Sequence, residues 1–143
     1  MLHRAVTAAL TLAAALALGA CAGSTSSEDS AKDFKGEQRR VAQVVEDLQE
    51  AGQDRDGNKI CQRLLAETLR QGIQKASGAS CPDALDDVLD DVDATELQVE
   101  KIAIEGSTAS VTVRGEGNGD DERKDTLTLV KQPQGWRISG LGS

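Results

Sequence analysis

The hydrophobic periodicity of this 143-residue chain changes once, from helical before Asp93 to strand-like after it, and that change restricts the fold more than any other feature. Val41, Val44, Val45 and Leu48 recur at i, i+3, i+4 and i+7, and Gly52 follows as a stop, which predicts an amphipathic helix. Ile60, Cys61, Leu64 and Leu65 mark a second helix, with Asp54 or Asp56 as its cap. After a break near Ala66 a third carries Leu65, Leu69, Ile73 and Ala76 and ends at Gly78. Ser80-Cys81-Pro82 opens a fourth, because proline is best tolerated in a first helical turn, and Leu85, Val88, Leu89 and Val92 supply its buried face.

Beyond Asp93 the alternation has a period of two. Leu97 and Val99 share one parity and Ile102 and Ile104 the other, which predicts a bulge near Glu100-Lys101. Glu105-Gly106-Ser107 is a tight turn into a strand of Ala109, Val111 and Val113. Gly115 to Asp125 reads as a polar, glycine-rich loop. Leu127 and Leu129 line a third strand, Gln132-Pro133-Gln134-Gly135 turns the chain, and Trp136 and Ile138 face inward from the fourth. Helices first and a meander second is the order of an α+β fold, with N-terminal helices packed on a curved four-stranded antiparallel sheet.

That order, with the segments Glu105-Gly106-Ser107-Thr108-Ala109-Ser110-Val111-Thr112-Val113, Leu127-Thr128-Leu129-Val130-Lys131 and Gly135-Trp136-Arg137-Ile138, resembles the nuclear transport factor 2-like, cystatin-like domains of small bacterial lipoproteins, especially actinobacterial ones. The resemblance covers about Glu37 to Leu141. By length residues 37–143 are one domain, and the inward-facing Leu69, Ile73, Leu129, Trp136 and Ile138 are its candidate core or pocket lining. That superfamily includes ketosteroid isomerases, dehydratases and carrier-type modules, so membership does not choose a function. Its enzymes generally pair a cavity carboxylate with Tyr or His. This chain has no tyrosine and one histidine, His3, so a carboxylate would have to act as a base without that partner. A non-catalytic protein is expected, with no catalytic residues, no metal and no cofactor.

The first 20 residues carry a different signal. His3 and Arg4 precede a 14-residue stretch, Ala5 to Leu18, broken only by Thr7 and Thr11. It has the shape of a secretory signal and is shorter than the roughly 20 apolar residues a spanning helix needs. Leu18-Gly19-Ala20-Cys21 resembles the lipobox of bacterial lipoproteins. The resemblance implies a signal peptide over 1–20, cleavage after Ala20, lipid on Cys21 and a position on the extracytoplasmic face of the cell membrane. Two or more acyl chains anchor stably where one is marginal. The alternative is a plain secreted protein with a chance cysteine near its cleavage site. With Cys21 committed to lipid, the three cysteines leave a pair, Cys61 and Cys81, expected to form a disulfide in an oxidising compartment. Residues 21–36 are polar, Ser/Gly-rich and aperiodic, the composition of a flexible tether reaching about 20 Å. Phe34 within it is a membrane-facing contact, a domain-docking contact or simply an exposed residue.

The net charge of −8 becomes −9 once the segment carrying Arg4 is removed, and without a basic run nucleic acid is not an expected partner. From Pro82 to Glu100 there are eight carboxylates and no Lys or Arg. Asp86, Asp87, Asp90 and Asp91 fall opposite the apolar stripe of their helix, the ordinary arrangement of a solvated face; a cation or basic-partner patch is the sharper reading. Asp54-Arg55-Asp56-Gly57-Asn58 begins like a calcium loop but has Lys59 where glycine and Leu65 where glutamate are required, so it reads as a turn and cap. The favoured function is a lipid-anchored, non-catalytic binding module for a small apolar ligand or an envelope protein. A structural or assembly subunit of a cell-envelope complex comes second, and an enzyme of steroid-isomerase type third.

Overall fold

In the computed structural model, the residues described are 27–91, 96–116 and 122–142. The segment read as a signal (1–20), Cys21, the first tether residues, Val92 and Asp93 lie outside them. The described chain is α+β, with four helices and a four-stranded antiparallel sheet in the order β1-β2-β3-β4.

Helix α1 (Gly36–Gln53) buries Val41, Ala42, Val45, Gln49 and Ala51, while Val44 and Leu48 are half-buried at the margin of the same stripe. Of the two candidate caps for the second helix, Asp56 holds the position: its Oδ1 accepts from the Lys59 backbone N–H at 2.8 Å. Helix α2 (Gly57–Lys59) then widens into a π turn over Ile60–Leu64, closed by the Leu65 N–H donating to the Ile60 carbonyl at 3.0 Å. Leu65 consequently leaves the helix. It is extended and bridges Ile138, and the Ala66 N–H donates to the Ile138 carbonyl at 2.7 Å. Gly57 lets α2 and α4 approach closely, since a Cβ there would lie 3.2 Å from Asp86 Oδ1 and 3.3 Å from the Pro82 carbonyl, so those neighbours would have to give by a few tenths of an ångström.

Helix α3 (Glu67–Ser77) ends at Gly78, which is left-handed at φ 72°. Helix α4 (Cys81–Asp91) is capped by Ser80, whose Oγ accepts from the Asp83 N–H at 3.4 Å and whose hydroxyl donates to Asp83 Oδ2 at 2.5 Å. Cys61 in the π turn and Cys81 at the start of α4 are joined, S–S 2.02 Å, as the cysteine count predicts. The apolar face expected on α4 is narrower than its sequence suggests. Leu85 and Leu89 pack against the core, but Val88 is 53% exposed. The helix rests on α2 and α3, so only a narrow stripe of its surface is covered. Asp86, Asp87 and Asp90 are exposed, as expected, and Asp90 pairs with Arg55 at 3.0 Å.

Strands β1 (Leu97–Glu105) and β2 (Thr108–Glu116) pair through the two-residue turn Gly106-Ser107, and their register shifts between Val99 and Lys101, where the parity switch predicts a bulge. β3 (Glu122–Gln132) and β4 (Gly135–Leu141) complete the meander. The expected loop from Gly115 to Asp125 is shorter: Gly115 pairs with Arg123 and Glu116 with Glu122. Backbone pairing continues there without the apolar alternation that would have announced it. A further register shift, between Thr128 and Leu129, had no such signal.

Leu129, Ile138, Val41, Val45, Val111, Val113 and Cys61 are the largest fully buried side chains, and one cluster joins them with Trp136. The expected tether also ends sooner than its composition suggests. Ser27–Asp33 form a 3-10 segment against α1 and β1, with Ser30 and Ala31 buried and the Ala31 N–H donating to Glu46 Oε1 at 2.7 Å. Small side chains let this polar stretch approach the helix closely, and Phe34 after it packs against the core. Both sheet edges are engaged. Gln38 Nε2 donates to the Ile102 carbonyl at 3.1 Å on β1, and Leu65 and Ala66 occupy the edge of β4.

Candidate functional site

Of the five residues expected to line a core or pocket, Leu129 and Ile138 are fully buried, and Leu69 and Ile73 on α3 are half-buried against the same cluster. They are core. Trp136 alone also borders an open groove of about 510 Å³.

Three pieces of chain make that groove. Arg40, Gln43, Val44 and Asp47 recur at i, i+3, i+4 and i+7, so they form one wall along α1. Lys59, Arg63 and Leu64 come from α2 and its π turn, positioned by the Asp56 cap. The β3–β4 turn supplies Gln134, Gly135, Trp136 and Arg137; Gly135, at φ 122°, is in a conformation other residues rarely adopt.

Trp136 is fixed on both sides. Its Nε1–H donates to Glu37 Oε2 at 2.9 Å, and Lys131 Nζ lies 5.9 Å from the ring centroid and 3.2 Å from the same carboxylate oxygen. These contacts, the Trp136 hydrogen bond foremost and Lys131 next, hold Glu37 below the ordinary glutamate range. Arg40 also reaches Glu37, at 2.9 Å. On the opposite wall, Lys59 Nζ lies 2.6 Å from Glu50 Oε2, and that hydrogen bond raises the lysine above its usual value. Arg137 donates to the Gln62 carbonyl at 3.2 Å.

The lining holds four cations, Arg40, Lys59, Arg63 and Arg137, against one carboxylate, Asp47, in a chain of net charge −8. Sequence reasoning missed all but the tryptophan. The cations are scattered over almost a hundred positions, and no run of basic residues marks them. Only their placement on three elements that meet at Trp136 could have brought them to notice. Among the described residues no group of three or more His, Cys, Asp or Glu is placed to hold a metal ion, and no helix is long and apolar enough to cross a membrane. No family model matches the chain, and no curated protein matches it.

Proposed function

We propose that this chain is a lipid-anchored, extracytoplasmic, non-catalytic binding module with a domain of the nuclear transport factor 2-like type, and that its contact surface is the groove at Trp136. The observation that carries the reading is the contrast between interior and groove. The inward side chains Leu129, Ile138, Val111 and Val113 are packed away from any opening, whereas Trp136, buried in the same core, also borders an open cleft and is tied through its Nε1–H to Glu37, which Lys131 and Arg40 reach as well. This favours docking a partner over enclosing an apolar ligand, and moves the reading toward a partner-binding subunit of an envelope assembly.

Anchoring rests on Leu18-Gly19-Ala20-Cys21, and an oxidising compartment is consistent with the Cys61–Cys81 pair. The absence of tyrosine, and of any histidine beyond His3, supports a non-catalytic role. The test is in-cell photo-crosslinking from a benzophenone side chain at Gln134, on the groove, and at Asp87, on the solvated face of α4. A discrete adduct from Gln134 and none from Asp87 is expected. Adducts from Asp87 alone, or equal adducts from both, would move the contact surface elsewhere.

A further inference from the structure

The groove is not merely lined with cations; some of them lack a carboxylate. Arg40 is held by Glu37 and Lys59 by Glu50, with Asp47 nearby adding to the field on Lys59. Among the described residues Arg137 has only a backbone carbonyl, and Arg63 has no charged partner. Two guanidinium groups therefore border a cleft whose floor is Val44, Leu64 and Trp136. Charged rim and apolar floor together ask for an occupant with both kinds of surface, which a simple anion does not have.

We propose that the groove takes an acidic peptide segment of a partner protein, with carboxylates meeting Arg63 and Arg137 and an apolar side chain seated on Val44, Leu64 and Trp136. The inference rests on the groove being the contact surface and adds the chemistry of what enters it. From Arg40 to Asp47 the α1 wall is about 10 Å long at 1.5 Å per residue. That length accommodates about three residues of extended chain at 3.3 Å each, one apolar residue between two acidic ones. The guanidinium fork matches a carboxylate in two parallel hydrogen bonds, which a lysine rim would not offer. Helix α4 presents Asp83, Asp86, Asp87 and Asp90 to solvent, so an acidic partner is repelled from that face and favours the cationic groove over it.

The experiment uses the exported, processed protein in mild detergent and a capped pentapeptide, Asp-Glu-Leu-Glu-Asp. Affinity is read by calorimetry and location by the emission of Trp136, the only tryptophan. Saturable binding that shifts Trp136 emission and weakens with salt is expected. Arg63→Ala and Arg137→Ala should each raise Kd about tenfold, the scale of one lost charge-assisted hydrogen bond, with the thermal midpoint unchanged in Arg63→Ala and slightly lowered in Arg137→Ala, which also loses its bond to the Gln62 carbonyl. Lys75→Ala on α3, outside the groove, should leave Kd unchanged, and a Ser-for-Leu peptide should bind more weakly.

Absence of saturable binding would overturn the proposal, as would equal weakening by Lys75→Ala. It would also fall if inorganic phosphate or phosphatidylglycerol mixed micelles gave the arginine-dependent shift and the peptide did not. A crosslink at Gln134 without peptide binding would leave the groove as contact surface and remove the acidic segment. Arginine-dependent peptide binding without the crosslink would keep the acidic-segment site in the groove and remove the in-cell partner contact at Gln134.

Discussion

At the scale of single residues, the pair Glu37 and Trp136 ties the first turn of α1 to β4 across 99 positions of sequence. Trp136 belongs to both core and groove, so its removal has two separable effects. Phe or Trp to Ala in a core costs about 3–5 kcal/mol, out of the 5–15 kcal/mol a small domain has. Trp136→Ala should therefore lower the denaturation midpoint sharply, and Trp136→Phe, which keeps the ring and loses the N–H donor, should lower it less. Asp90→Ala breaks only an ion pair with Arg55 exposed on both sides and should change stability by no more than about 0.5 kcal/mol in urea unfolding. Glu37 gives a pH signature. Its folded value is depressed, so its contribution is complete above the ordinary glutamate range and is lost as pH falls through the lowered value. As pH falls from 7 to below the ordinary glutamate range the parent should lose thermal stability relative to Glu37→Gln, and Trp136 emission should shift in the parent alone.

Among the elements, legibility followed the strength of the local pattern. The bulge at Glu100 was readable because a one-residue insertion reverses the apolar parity of Val99 and Ile102, and the turn at Gly106-Ser107 because alternation stops and restarts around it. Where side-chain pattern and backbone pairing part company, reading failed. Residues 122–126 are strand without being apolar, Val88 is periodic without being covered, and Ser27–Asp33 are polar yet packed. The groove was illegible for a related reason: its cations belong to three elements and acquire a common purpose only after those elements meet.

The Cys61–Cys81 link joins the π turn to α4 over 20 positions, so its loss should be felt mainly in α2 to α4. In the chain-entropy account a loop of this size is worth about 3 kcal/mol. Reduction should lower the thermal midpoint by several degrees, and alkylation of the unreduced exported protein should label neither Cys61 nor Cys81. Two labelled cysteines without reductant would remove the link.

At the scale of the whole molecule, retention at the membrane is expected to depend on Cys21. Cys21→Ser should escape lipoprotein processing or be released, as followed by fractionation and by mass of the mature chain; a variant processed and retained like the parent would refute the anchor. A protein held on a surface is confined to two dimensions, where neighbours meet far more often than at the same abundance in solution. Open strand edges in such a crowd are templates for pairing with the next copy. Here Gln38 occupies a carbonyl on one border of the sheet and Leu65-Ala66 lies along the other. Were the chain anchored as proposed, these contacts would cover part of each border and leave less open edge for a neighbouring copy to pair with.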